Sequence, residues 1–355
     1  MFEVAFTLLV LCSLMQSYFW LWQMRIPQGC EPKEKRLSPK VSLVIAVKNE
    51  RANLEKHLRK WDDQEYEDYE IVLIDDHSTD GTFEYLNQYE SPRLIVLRLP
   101  IDQSGKKNAV SLGIKSSNSA WIVLTDADCY PQSRNWLAIL MDCAHTSDLI
   151  LGISPYEKNA GFLGKWINFE TWYIAVQYLS AALRNRPFMG VGRNMAFKKS
   201  LFTIVGGYSK HQNLPSGNDD LFISALPKKT RIRWSLNVES WMWSIPEKSW
   251  GDLIRQKTRH VSTAPSYRWN IQLWLIMIFI SHGLFYICLF YLLTTSGWVA
   301  IFWIFRMLMI TTVINRSSPL KAMRPNLLWL PVMDFFQVVF YALLSFSFVS
   351  PKKDW

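Results

Sequence analysis

Along this chain the apolar stretches come in two lengths, and each length predicts a different element. Short runs rich in β-branched side chains recur in the first half: Val41-Ser42-Leu43-Val44-Ile45-Ala46-Val47, Glu70-Ile71-Val72-Leu73-Ile74, residues 93–97 and residues 120–125. Bounded by polar turns, such runs read as strands buried on both faces. Segments with helical spacing alternate with them at 53–61, 80–89 and 106–116. Strand, helix and strand in succession make a parallel βαβ unit, and its repetition makes an α/β, doubly wound sheet with ligand groups at the carboxyl ends of its strands.

The long runs predict membrane helices. Residues 4–24 carry no charge, are long enough to span a bilayer, and lie between Glu3 and the cations Arg25, Lys33, Lys35 and Arg36. That basic flank assigns the segment after it to the cytosol. A cleaved signal peptide is the rival reading, but the leading end lacks Lys and Arg and no Ala-x-Ala-like site precedes Arg25, so an uncleaved anchor is expected. Residues 271–305 hold no Asp, Glu, Lys or Arg; at about 1.5 Å per residue they exceed one crossing, and Thr294-Thr295-Ser296-Gly297 supplies a break. Two helices are the expected result. Arg306 in the second is costly at mid-bilayer and marks a helix end, a snorkelling residue or a headgroup contact. A further apolar stretch, 327–349, is interrupted by Pro331 and Asp334 and either spans or starts as an interfacial segment; Lys321 and Arg324 precede it, Lys352 and Lys353 follow it, and its orientation stays open. The expected division is an anchor over 1–25, a linker over 26–40, a cytosolic α/β domain over 41–265, and a membrane region of two or three helices over 266–355.

Composition agrees with this segregation: among 355 residues, 49% are hydrophobic, with 17 Trp and 20 Phe beside 39 Lys+Arg. The net charge of +9 is accounted for by positive-inside flanks and anionic membrane lipid, and with no RNA- or DNA-binding motif, nucleic acid is not an expected partner. Cys12, Cys30, Cys129, Cys143 and Cys288 form no C-x-x-C pair, so neither a zinc site nor a disulfide framework is expected, in keeping with a reducing compartment.

Candidate chemistry gathers where strands end. Thr125-Asp126-Ala127-Asp128 puts two carboxylates just past the fourth strand, able to hold Mg²⁺ or Mn²⁺ that keeps open positions for phosphate oxygens; a plain turn is the alternative. Asp75-Asp76-His77-Ser78-Thr79-Asp80-Gly81-Thr82 closes the second strand, where carboxylates accept hydrogen bonds from a base or a ribose and Thr79 or Asp80 caps the next helix. No G-x-G-x-x-G follows the first strand; Lys48-Asn49-Glu50 stands there instead. Asn218-Asp219-Asp220 is a second acidic centre, which by itself reads as a helix cap. Residues 162–183, aromatic and poor in charge, form either a core helix or one lying on the bilayer surface.

Val44-Ile45-Ala46-Val47-Lys48-Asn49-Glu50, Asp75-Asp76-x-Ser78-x-Asp80-Gly81-Thr82, Gly105-Lys106-Lys107-Asn108-Ala109 and Asp126-Ala127-Asp128 together resemble glycosyltransferase family 2, over residues 41–260. The resemblance implies a GT-A fold, Rossmann-like with a mixed sheet, and inverting transfer of a sugar from a nucleotide diphosphate, usually with Mg²⁺ or Mn²⁺. It implies that Ala46, Glu50, Asp75 and Asp76 line the nucleotide pocket, with Glu50 and Asp76 on the base. Lys106 would lie near the nucleotide, Asp126 near ribose and metal, and Asp128 on the metal. Gly190-Val191-Gly192-Arg193-Asn194-Met195-Ala196-Phe197 with Gly206-Gly207-Tyr208 resembles the family's acceptor-side segment, and Arg193 joins the nucleotide-sugar contacts. Alignment sets the catalytic base for an acceptor hydroxyl at Asp219, with Asp220 as the alternate.

Ile254-Arg255-Gln256-Lys257-Thr258-Arg259-His260 is similar to the QxxRW signature of membrane synthases and ceramide-glucosyltransferase-like enzymes. By that resemblance Arg259 binds the departing diphosphate and Gln256 positions the acceptor. His260 in place of Trp keeps a planar ring but loses stacking area, which argues against processive elongation. A basic juxtamembrane helix on lipid headgroups is the other reading. The whole implies a multi-pass protein of the cell inner membrane that moves a hexose or N-acetylhexosamine, with UDP the favoured nucleotide, to a lipid-linked or glycan acceptor. Its rivals are a processive polysaccharide synthase and a non-catalytic nucleotide-sugar-binding subunit of a membrane complex, with a membrane partner or a second copy of the chain.

Overall fold

A computed structural model of the protein describes residues 1–25, 38–214 and 216–346. Most of the expected linker, Pro215 and the cations Lys352 and Lys353 lie outside the described residues. In chain order the elements are α1 (Phe2–Gln23), β1 (Val41–Val47), α2 (Arg51–Asp62), β2 (Tyr69–Asp75), α3 (Thr82–Gln88), β3 (Leu94–Arg98), α4 (Lys106–Ser116), β4 (Trp121–Leu124), β5 (Cys129–Pro131), α5 (Trp136–Met141) and β6 (Leu149–Leu151). Then come α6 (Gly161–Leu183), β7 (Met195–Lys198), α7 (Lys199–Val205), α8 (Asp220–Ala225), β8 (Ile232–Trp234), β9 (Met242–Ser244), α9 (Trp250–Val261), α10 (Trp269–Leu293), α11 (Ala300–Arg316) and α12 (Leu330–Phe346). The described residues fall into two compact units, 38–157 with 185–246, and 1–25 with 158–184 and 247–346.

The first unit is built on a seven-stranded sheet ordered β3-β2-β1-β4-β7-β6-β8. β3, β2, β1 and β4 are parallel neighbours, whereas β7 runs antiparallel between β4 and β6. Every residue of β1 and β2 is buried, so these strands carry continuous apolar runs rather than alternation. Helix α4 lies close on the sheet because Gly113 has no side chain: a Cβ there would meet Ile74 Cδ1 at 2.4 Å and Val44 Cγ1 at 2.6 Å. A two-stranded ribbon, β5 with β9, extends the region just past Asp128. Cys143 is disulfide-bonded, contrary to expectation, while Cys12, Cys129 and Cys288 are free and buried. Sequence spacing does not report which thiols meet in space.

The second unit contains four helical segments long and apolar enough to cross a membrane: 2–23, 269–293, 297–316 and 327–345. Pro331 does not interrupt the last of them. It lies in the first turn of α12, where a missing N–H leaves nothing unsatisfied. α1 pairs with α10, with Gln16 Nε2 donating to Ile278 O at 3.1 Å and Phe19 edge-on to Trp274 at 4.4 Å.

Arg306 takes none of its three expected roles. It is 4% exposed, and its Nε and Nη2 donate to Asp334 Oδ2 and Oδ1, each at 2.7 Å, while Nη1 donates to Gln16 Oε1 at 2.8 Å. His282 Nε2 lies 2.7 Å from Nη2, and the Tyr286 hydroxyl donates to Asp334 Oδ2 at 2.6 Å. Helix α6 belongs to this unit too. Its Glu170 is paired with Lys257 of α9 at 2.5 Å and accepts from the Tyr341 hydroxyl of α12 at 3.0 Å.

Candidate active site

β1 and β4 are the neighbours at which the strand order reverses, and a doubly wound sheet opens its ligand crevice beyond such a pair. Two loops there are tied together before any ligand is considered. Asn49, left-handed at φ 57°, has its N–H on Ser78 Oγ at 2.9 Å, and its Oδ1 accepts from Thr79 N at 2.8 Å. Glu50 N–H donates to Thr82 Oγ1 at 3.0 Å. Lys48-Asn49-Glu50 is thereby fixed against the loop after β2.

That framework aims carboxylates in different directions. Asp75 serves its own turn, accepting from Ser78 N at 3.2 Å and facing Arg98 Nε at 3.3 Å. Asp76 is fully buried; its Oδ2 accepts from Gly105 N at 3.0 Å and Lys48 Nζ at 3.3 Å, and its Oδ1 has no partner. An unpartnered carboxylate oxygen in a buried position costs stability unless a ligand donor completes it. Thr125 Oγ1, just beyond β4, is likewise buried and unpartnered.

Lys106 at the start of α4 reaches Asp126 Oδ1 at 2.6 Å. Burial alone would depress its ammonium, but Asp126, Asp128 and Asp219 outweigh burial and hold it above its ordinary range. Burial pushes the Glu50 carboxyl up; Asn53, whose Nδ2 donates to it at 2.7 Å, opposes that, and Asp128 and Asp126 add to it. Glu50, Lys106, Asp126 and Asp128 thus share one electrostatic neighbourhood. Ala46 lies buried one residue before the end of β1. Arg193 stacks its guanidinium 4.4 Å from the Tyr156 ring centre and donates to Ser154 O at 3.4 Å, with Asp128 and Asp126 favouring its charge.

Asp128 accepts from Cys129 Sγ at 3.2 Å and Ser244 Oγ at 3.3 Å, both neutral donors. Among the described residues no three His, Cys, Asp or Glu converge as a complete metal set. Two carboxylates fit a hard divalent cation that takes its other oxygens from a diphosphate and water. Asp219 caps α8, its Oδ1 accepting from Asp220 N and its Oδ2 from Gly192 N, both at 2.9 Å. Asp220, 7% exposed, accepts from Leu221 N at 2.8 Å. The cap reading holds for Asp219.

Gln256, Arg259 and His260 belong to the helical unit. They lie on α9, which turns Leu253 and Lys257 inward, and Gln256 donates to Glu247 Oε1 at 3.1 Å. Several residues of the sheet unit have surroundings that the sequence does not report: Thr125, Tyr156, Ser244, and Lys107, whose Nζ donates to the carbonyls of His211 and Leu214 at 2.5 and 3.0 Å. The double lysine of Lys106-Lys107 is the available signal, yet nothing in it says that the two point to different partners.

Residues 42–204 match the family described as glycosyl transferase family 2. A Bacillus subtilis protein named as a probable glycosyltransferase, YdaM, is 24% identical over 264 residues, 68% of this chain and 59% of that protein. The poly-beta-1,6-N-acetyl-D-glucosamine synthase of Staphylococcus aureus is 22% identical over 62% of this chain and 53% of its own length. Each match spans less than two thirds of the relative. The mannosyltransferase PcManGT from Pyrobaculum calidifontis, solved in complex with GDP-Man and Mn²⁺, superposes with a TM-score of 0.59 at 16% identity, covering 89% of this chain and 97% of that one. The fold shared with it is GT-A.

Proposed function

For this chain, whose residues 42–204 match glycosyl transferase family 2, we propose a membrane-anchored, inverting glycosyltransferase that moves a hexose or N-acetylhexosamine from a nucleotide-diphosphate sugar to a lipid-linked or glycan acceptor. The observation that carries this reading is the crevice beyond β1 and β4. There Lys106, Asp126 and Asp128 share one field, and Asp76 Oδ1 and Thr125 Oγ1 stand buried and unpartnered.

In this reading Asp76 receives a donor N–H from the base and Glu50 borders it. Asp126 and Asp128 hold Mg²⁺ or Mn²⁺, which when bound neutralises charge on the diphosphate. Lys106 and Arg193 supply further positive charge where the leaving group forms. Asp219 takes the proton of the acceptor hydroxyl as its oxygen attacks the anomeric carbon and the bond to the diphosphate breaks, which inverts that centre. The roles of Gln256, Arg259 and His260 rest on the resemblance of the α9 sequence. Membrane anchoring is supported by the four apolar helical segments and by their charge pattern. Arg25, Arg268 and Arg316 stand at one set of ends of the first three, against Glu3 and the uncharged 294–297 break at the other, while the fourth has cations on both sides in the sequence. By the positive-inside rule the basic ends face the cytosol.

The test is nucleotide release by detergent-purified full chain with membrane lipid extract and Mn²⁺, over a panel of UDP-sugars and GDP-mannose, beside Asp128→Asn and Asp219→Asn. Metal-dependent release that drops about 100-fold or more in both variants, with a labelled glycolipid formed, supports the transferase and names its donor. A ladder of products favours a processive synthase. Tight nucleotide binding without turnover, unchanged in Asp219→Asn, leaves a binding subunit and overturns the catalytic reading.

A further inference from the structure

Helix α9 carries the Gln256 to Arg259 spacing that resembles the QxxRW signature, and its inner face holds one residue foreign to an apolar stripe. Trp250, Leu253 and Lys257 share that face by their spacing. Trp250 packs on Phe336 at 5.5 Å and on Phe162 at 5.9 Å, and Leu253 is 1% exposed. Lys257 breaks the stripe. It is 7% exposed, and its Nζ lies 2.5 Å from Oε2 of Glu170 on α6, itself 1% exposed. The other oxygen of that carboxylate accepts from the Tyr341 hydroxyl of α12 at 3.0 Å. One buried carboxylate therefore holds two helices: α12, in the fourth of the apolar segments, and the helix with the Q-x-x-R spacing.

A buried ion pair adds little net stability, because both groups give up their hydration, and apolar side chains in the same place often do as well or better. What the pair supplies is direction. The contacts of Trp250 with its aromatic neighbours change little if the helix turns slightly, whereas an ammonium moved off a buried carboxylate leaves two charges without partners. At about 100° per residue, Lys257 and Arg259 lie about 200° apart around α9. Holding Lys257 inward on Glu170 thus turns Arg259 away from α6 and α12. Among the described residues the Arg259 guanidinium has no partner, and only its carbonyl is used, accepting from Ser262 Oγ at 2.7 Å.

We propose that Lys257 and Glu170 are positioning residues for Arg259: the buried pair sets the rotation of α9, and with it the direction in which the Arg259 guanidinium is offered to the departing diphosphate. This rests on the reading of Arg259 as the diphosphate ligand. The residue that meets the ligand and the residue that aims it stand two places apart on one helix.

The test is a cycle of full-length variants titrated with UDP and with GDP, each in the presence of Mn²⁺. Lys257→Met alone would strand the carboxylate, so the pair is removed together as Glu170→Gln with Lys257→Met, in which the amide still accepts from Tyr341. That pair variant is expected to melt within a few degrees of the unaltered protein. Its affinity for the better-bound nucleotide should fall about tenfold or more, as it should in Arg259→Ala. Combining all three substitutions should cause no loss beyond that of Arg259→Ala, because the pair acts through that residue. Unchanged affinity in the pair variant beside weakened binding in Arg259→Ala overturns the positioning role alone. A combined variant weaker than Arg259→Ala by the full factor of the pair variant overturns it too, since the pair then acts on the fold at large. If Arg259→Ala binds both nucleotides as the unaltered protein does, the diphosphate reading of Arg259 fails and the positioning role with it.

Discussion

Two acid–base pairs, one in each unit, are built from the same chemistry and treated in opposite ways. Arg306 and Asp334 are 4% and 0% exposed by side chain, and Gln16, His282 and Tyr286 add further hydrogen bonds to the pair. Lys106 and Asp126 stand at a sheet edge with side chains 26% and 28% exposed, near Asp76 Oδ1 and Thr125 Oγ1, which have no partner at all. A network that is complete holds structure; one that is left incomplete waits for something to complete it. The difference separates an ion pair that binds helices together from one that, in the proposed function, belongs to a reaction.

The largest test of that contrast is Asp334→Ala. It strands the Arg306 charge among apolar helices and should cost about 3–5 kcal/mol, read from thermal unfolding in detergent. Replacing both partners, Arg306→Met with Asp334→Leu, should restore most of that loss. A double variant as unstable as the single one would mean that the pair does more than neutralise itself.

Lys106→Met should move activity instead of stability. The half-open pair is worth about 1 kcal/mol or less, whereas kcat/KM should fall about 100-fold. A stability loss matching that of Asp334→Ala would erase the distinction between the two pairs.

Glu50→Gln sharpens the picture with pH. Burial raises the Glu50 carboxyl above 4.5, so the folded chain holds that proton to higher pH than the unfolded chain does. The group's contribution is present at acid pH and is lost as pH rises through the folded value. Gln, which keeps an acceptor for Asn53, should therefore raise the melting temperature at neutral pH, with the gain vanishing below about pH 4. An equal gain at every pH would assign the effect to packing. At the small end, Glu55→Ala breaks an exposed pair with Arg51 on α2 and should change stability by about 0.5 kcal/mol or less, measured the same way.

The sequence was most legible where burial is continuous or where a turn repeats a motif. The limits of β1 and α4 derive from their apolar runs and from Gly105, and the acidic residues fall at strand ends as the runs predict. Late strands were not legible. β6, β7, β8 and β9 are three or four residues long, too short for periodicity to speak, and the antiparallel insertion of β7 depends on a long connection. Arg306 could be seen to be costly but not to be paired, because its partner lies on another helix 28 residues on. Tyr208 shows a related limit: the sequence sets it in the segment that resembles the family's acceptor side, and only the folded chain reveals that its hydroxyl meets nothing.

The pairing of α1 with α10 fixes an order of assembly. Gln16 and Ile278, whose carbonyl it bonds, are 262 residues apart, so at about 5–20 residues per second the ribosome takes roughly 13 to 52 seconds to deliver the second after the first. Every described strand of the sheet is synthesised in that interval. The sheet unit can close while the first helix still waits with Gln16 lacking α10. A chain halted before residue 269 would carry a finished sheet and an unpaired first helix, and translation speed through this stretch becomes part of how the molecule is made.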